Sequence, residues 1–239
     1  FSIKDAQKAG RLVPYTYKPG TIPLTDEEYS EWKKLTDIIQ SLAAQLHNSS
    51  SPDPTLQKRL EGLRFNRARI IKKAEAKTDF AINIVKDNFE KNHRWLIYCE
   101  DTPQLEEIQN RLRKELDSDI TIFRYASDMS ADKENTINIF ENRGGVMVAM
   151  KCLDQGVDIP SISHALILAS STNPRQHIQR RGRVLRVADN KFEATVHDAL
   201  VIPDVEKQDE VLETDLERAR DFAQDASRNR RALNFLDKL

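Results

Sequence analysis

The residues of this chain best equipped for chemistry are crowded into NPRQHIQRRGRVLR, Asn173 to Arg186. Arg175, Arg180, Arg181, Arg183 and Arg186 stand there with no acidic residue among them. Like charges at helical spacing repel, so the segment predicts an anion that offsets them. On a helix, Arg183 and Arg186 share one face, from which two planar guanidiniums converge on phosphate oxygens. The competing reading is a solvated basic helix facing acids elsewhere. A second cluster is KCLDQGVDIP, Lys151 to Pro160. Gly156 permits a tight approach or a positive φ, and Asp158 sets a carboxylate just before a proline-fixed turn. A carboxylate at a strand end accepts paired hydroxyl hydrogen bonds from a ribose, although the same pattern also serves as a plain turn. A third cluster, Leu56 to Lys77, carries Lys58, Arg59, Arg64, Arg67, Arg69, Lys72, Lys73 and Lys77 against Glu61 and Glu75 only. Such an excess tracks a phosphate backbone or forms a solvated helix face; Arg67 and Arg69 are its candidate nucleic-acid contacts.

Other chemistry is missing from the pattern. The glycines are Gly10, Gly20, Gly62, Gly144, Gly145, Gly156 and Gly182, and none starts or completes the G-x-x-x-x-G-K-[ST] phosphate loop. No acidic magnesium-binding motif ends an apolar strand; the acids of DEEY, Asp26 to Tyr29, fit the first turn of a helix. The five histidines are scattered and Cys99 and Cys152 lie in apolar runs, so no metal site and no disulfide framework are expected.

The elements that must position these clusters follow from periodicity. A short helix is expected near Ser2 to Ala9, followed by an extended piece, LVPYTYKP, in which Pro14 and Pro19 forbid a helix. Thr25 and Glu28 form a capping-box start for a helix to about His47, which NSSSPDP then breaks. Further helices are predicted over Thr55 to about Lys77 and from about Thr78 to Asn92. After Asn92 the runs WLIYC, TIFRY, VMVAM, ALILA and DALVI alternate with amphipathic helices. That is the pattern of an α/β fold, a parallel sheet with helices on both faces, here preceded by a helical layer. Ligands of such sheets collect at strand carboxyl ends, so the segments after Cys99, Tyr125, Met150 and Ala169 are the places to look. The chain divides into a connector at 1–24, a helical layer at 25–92, the α/β body at 93–203 and a helical extension at 204–239.

Composition sets the outer bounds. The chain has 239 residues, 31% charged and with a net charge of −1, so any nucleic acid would be held by local patches rather than by a global field. No stretch has the ~20 consecutive apolar residues of a membrane helix, and FSIKDAQKAG lacks a signal peptide's apolar run. The expected setting has no membrane and is cytoplasmic or nucleoid-associated.

LDQGVDIP followed by QRRGRVLR resembles motifs V and VI of superfamily 2 helicases. WLIYC with DTPQLEEIQNRL resembles motif IV, and YASDMSADKENTINIF the Tyr-x-Ser segment between motifs IV and V. LVPYTYKP and RARIIKKAEAK are similar to the connector after the first motor domain in the XPB-like branch with its repair, restriction and phage-defence enzymes. The resemblance implies a RecA-like fold and the second motor lobe of an ATP-dependent DNA helicase or translocase, an RNA helicase lobe or a non-catalytic nucleic-acid-binding module being the alternatives. It implies that Arg183 and Arg186 reach the γ-phosphate of ATP, with Gln179, Gly156 and Asp158 as further ATP-site residues. Lys151, Ser127 and Thr172 would contact nucleic acid. Gln155 stands where a glutamate is usual, and Met150 where many relatives have a threonine on the phosphate backbone. ATP and Mg²⁺ would be held mainly by a first RecA-like domain upstream on the same polypeptide, and this chain alone would not hydrolyse ATP.

Overall fold

The computed structural model describes residues 3–48, 53–126, 128–129, 133–150, 159–169, 181–203 and 213–239. Lys151, Gly156, Asp158, Ser127, Thr172 and Gln179, together with Gln155, Cys152, Arg175 and Arg180, lie outside them.

Six strands form one wholly parallel sheet: β1 (Tyr15–Pro23), β2 (Arg94–Tyr98), β3 (Ile122–Tyr125), β4 (Gly145–Ala149), β5 (His164–Ile167) and β6 (Ala194–Ile202), in the order β1-β6-β5-β2-β4-β3. The five apolar runs read from the sequence supply β2 to β6. Residues 15–23, expected as part of a connector, are instead the sixth strand, paired with β6 from Tyr15↔Ala194 to Pro23↔Ile202. Pro19 and Pro23 withhold backbone donors, and an edge strand tolerates this because only one of its sides is paired.

Side chains of successive strand residues leave opposite faces, and the core divides accordingly. Leu96, Tyr98, Met147, Ala149, Ala165 and Ile167 enter one layer; Trp95, Ile97, Val146, Val148, Leu166 and Leu168 enter the other. The second layer is covered by α4 (Ala76–Asn88) and α5 (Thr102–Glu115). The first is covered by α6 (Lys133–Arg143), by Val184 and Leu185, and by the C-terminal helices α7 (Glu213–Asp225) and α8 (Asn229–Leu236). Val13, Tyr15 and Tyr17 share that layer with Phe222, Ala223 and Leu236, so the two ends of the described chain pack in one core.

The first helix is α1 (Ile3–Lys8). The helical layer is a pair, α2 (Asp26–His47) and α3 (Pro54–Lys73). Thr25 caps α2 by the reciprocal box its sequence predicts: the Glu28 amide donates to the Thr25 hydroxyl at 3.2 Å and the Thr25 amide to the Glu28 carboxylate at 3.0 Å. Ile39, Leu42 and Leu60 give the pair its own small core. The third basic cluster divides earlier than expected, because Ala74 adopts φ −42°, ψ 126° and ends α3 before Lys77. Gly144 at φ 73° and Gly145 at φ 120° turn the chain from α6 into β4. A Cβ on Gly145 would stand 2.4 Å from the Thr121 carbonyl oxygen, so this turn admits no side chain there.

Candidate nucleotide and nucleic-acid interface

The described part of the arginine cluster is a single helical turn, 181–184, followed by Leu185 and Arg186. Arg183 is on the turn, half-buried; Arg186 lies beyond it, exposed, its backbone in an antiparallel bridge with Leu12. The two arginines therefore do not share a helix, as their spacing predicted; the Arg186 amide instead donates to the Arg183 carbonyl at 3.3 Å in a closing turn. Arg186 also sits at the amino ends of β1 and β6 rather than at a strand carboxyl end. The physical reason is the crossover: a connection between the parallel strands β5 and β6 must return to the edge where the next strand starts.

The backbone here is closely held. The Val13 amide donates to Leu185 O at 2.7 Å. The Lys191 ammonium donates to Val184 O at 2.6 Å, Arg186 O at 2.9 Å and Pro160 O at 2.7 Å. Burial pulls the Lys191 pKa down to about 8, against which the three carbonyl acceptors favour the charged form. Arg181 is buried and faces inward, its guanidinium 3.1 Å from the Asp225 carboxylate, 3.2 Å from Asp221 O and 4.7 Å from the Phe222 ring centroid. One member of the basic cluster is thus structural, fastening α7 to the turn.

At the carboxyl end of β2, the chain turns through Glu100 and Asp101 into α5. Asp101 caps α5, accepting the Gln104 amide at 3.2 Å, and also pairs with Lys73 at 2.7 Å and Arg69 at 4.0 Å. Burial pushes its pKa upward, but the hydrogen bonds from Lys73 and Gln104 with the Lys73 and Arg69 charges outweigh this and hold it below the usual value. Lys72 lies 3.8 Å from Glu100. Lys77 is buried at the start of α4 and donates to Leu168 O, just past β5, and to Lys72 O at 3.3 Å. Burial draws its pKa down to about 8, opposed by Asp215, Asp198 and Glu100.

The two candidate contacts of α3 have different surroundings. Arg69 is exposed beside Asp101. Arg67 turns toward α2, 3.5 Å from the Thr36 hydroxyl and 5.9 Å over the Trp32 ring. Sequence reasoning placed Arg181 and Lys77 only as members of basic clusters, and passed over Lys191 and the buried Asp198–Arg218 pair, joined at 3.2 Å. Tyr17 donates to the same Asp198 carboxylate at 2.8 Å. Only long-range packing distinguishes these residues from surface charges, and no local pattern carries that information.

Comparison with known proteins places these features. Residues 76–188 match the model of the helicase conserved C-terminal domain, a span running from α4 through the arginine turn. The chain is 24% identical over 196 residues to the DNA 3'-5' translocase XPB2 of Sulfurisphaera tokodaii, covering 77% of this chain and 43% of the relative. It is 26% identical over 114 residues to the DEAD-box ATP-dependent RNA helicase 22 of Arabidopsis thaliana, covering 47% of this chain and 19% of that protein. The chain therefore spans less than half the length of either relative. Among solved structures, the C-terminal domain of the Sulfolobus solfataricus SWI2/SNF2 ATPase superimposes with a TM-score of 0.54 at 13% identity, over 81% of this chain and 82% of that domain. The parallel sheet, its two helical layers and the matched span agree, and the chain carries a superfamily 2 helicase C-terminal domain, the second RecA-like lobe of such motors.

Proposed function

We propose that this lobe closes on ATP held by a first RecA-like lobe of the same polypeptide and supplies Arg183 and Arg186 to the γ-phosphate while gripping DNA. The observation that carries the reading is the contrast within the arginine segment. Arg181 is consumed in the core, whereas Arg186 is exposed on backbone whose carbonyls at 184, 185 and 186 all have donors. A guanidinium on a fixed support suits phosphoryl transfer, in which charge on the γ-phosphate is stabilised by positioned cations. Mg²⁺ and the phosphate loop belong to the other lobe. Lys151, Ser127, Thr172 and the exposed Arg69 are the proposed contacts to the nucleic-acid backbone, with Arg67 supporting them from within the helical pair. Gln179, Gly156 and Asp158 complete the nucleotide side.

DNA is favoured as the track because the more extensively matched relative is a DNA translocase; the RNA helicase match supports RNA as the second reading. The test uses the full-length protein and measures ATP turnover with duplex DNA, single-stranded DNA and RNA. DNA stimulation is expected, and Arg186→Ala should lower kcat on the order of 10³-fold while ATP still binds. Turnover retained in that variant removes the arginine assignment. Stimulation by RNA alone transfers the lobe to the second reading. The 239-residue chain by itself is expected to hydrolyse no ATP.

A further inference from the structure

We infer that Lys191 is a positioning residue for the arginine segment, fixing Arg183 and Arg186 by joining their backbone to the segment that leads from Pro160 into β5. The inference rests on the reading of these arginines as γ-phosphate contacts, but its observations are separate. An ammonium has three N–H donors. In Lys191 all three are directed at backbone carbonyls: Pro160 O at 2.7 Å, Val184 O at 2.6 Å and Arg186 O at 2.9 Å.

The last carbonyls of a helical turn lack intrahelical partners and need donors from elsewhere. At the end of the 181–184 turn, Lys191 takes the carbonyls of Val184 and Arg186, and the Val13 amide takes Leu185 O between them. A positive charge at this end of a turn is also favoured by the peptide dipoles. Asn190 adopts φ 62°, and the Lys191 amide closes the preceding turn on Ala188 O at 3.1 Å, which returns the side chain beneath the segment it holds.

The Pro160 contact gives the arrangement a mechanical meaning. Pro160 ends KCLDQGVDIP, the segment assigned above to nucleotide and nucleic acid, and Arg186 ends the arginine cluster. Lys191 ties the two together through one charged group. A displacement at Pro160 would therefore be passed through Lys191 to the backbone of the arginines. Arginine is a poor replacement, because its donors lie in one plane while the three carbonyls come from two separate segments.

The experiment compares Lys191→Met, Lys191→Arg, Arg186→Lys, Arg186→Ala and the Lys191→Met/Arg186→Lys double variant in the full-length protein. Lys191→Met should lower DNA-stimulated kcat on the order of 10- to 100-fold, with KM for ATP unchanged, as expected for a misplaced rather than a missing catalytic group. Since Lys191 acts in part through the Arg186 guanidinium, the double variant should lose clearly less than the product of the two single losses. Hydrogen exchange should quicken across 182–188 and stay unchanged in β2 and β4. Lys191→Arg keeps the charge and should give an intermediate kcat with the same unaltered KM; it carries the test if the Met variant does not fold. Wild-type kcat in Lys191→Met, or losses that simply multiply in the double variant, overturns the inference. Full turnover in Arg186→Ala sinks the γ-phosphate reading and this inference with it, whereas loss there with wild-type turnover in Lys191→Met sinks this inference alone.

Discussion

Arg181, Arg183 and Arg186 are neighbours in sequence with different surroundings. Arg181 lies against Asp225 and the Phe222 ring in the core, Arg183 is half-buried on the turn, and Arg186 is exposed past its end. The crowding of the cluster was visible in the sequence; which arginine goes inward was not, because Asp225 lies 44 positions from Arg181 and joins it only after α7 docks. The same holds for Asp198 and Arg218. Both are buried, with Tyr17 as a third partner whose pKa burial and the Asp198 charge drive well upward. Arg218 also pairs with Asp215, so Asp198→Asn leaves it that partner and should cost less than Arg218→Met, which strands the Asp198 carboxylate in the core and should cost about 3–5 kcal/mol in a urea titration. Replacing both Asp198 and Arg218 by apolar residues of similar volume should cost less than Arg218→Met alone. A double variant as unstable as the two losses combined would show that the pair does more than satisfy itself.

At the scale of elements, strand alternation and capping were legible. WLIYC and VMVAM become β2 and β4 with alternate residues in opposite layers, and Thr25 and Glu28 close their box at α2. The strand β1 was not, because Pro14, Pro19 and Pro23 mask its pattern and its pairing depends wholly on β6. The span of the turn after α6 was equally hidden, since a glycine pair does not announce which of its members is strained. Here both are left-handed, and Gly145 has the closer contact, with the Thr121 carbonyl where a Cβ would go. Gly145→Ala should therefore lose about 1–3 kcal/mol from backbone strain, and more from the clash, read as a lowered Tm. Gly62→Ala on α3, where nothing lies within 4 Å, should be neutral or stabilising by up to about 1 kcal/mol. Equal effects at the two glycines would contradict the local geometry.

Across the whole molecule, a row of rings crosses the sheet: His93, His164, Trp95 and His197, with centroids 4.2, 4.5 and 5.4 Å apart in succession. Burial lowers the pKa of His164 to about 3, with the His93, His197 and Lys18 charges adding to it, and lowers that of His197 to about 4. The folded state keeps both neutral while the unfolded chain takes up protons near its ordinary pKa of 6.5. Stability is therefore full above that pH and falls progressively as pH drops toward about 4. Both ring nitrogens of His197 lack a hydrogen-bond partner among the described residues, so His197→Phe should flatten this acid limb in thermal melts between pH 7 and 4.5. An unchanged limb would place the proton uptake elsewhere.

The edge strand carries one more consequence, in time rather than in space. Tyr17 meets Asp198 across 181 residues, and Tyr15 donates to Phe222 O across 207. As the chain leaves the ribosome, β1 is made before β2 to β5 and its strand partner among the described residues, β6, after them, so β1 waits unpaired while the centre of the sheet is synthesised. Contacts so distant in sequence also close slowly. The edge that steadies the arginine segment through Val13 thus settles after the sheet centre, and a half-made lobe has that centre before it has a fixed Arg186.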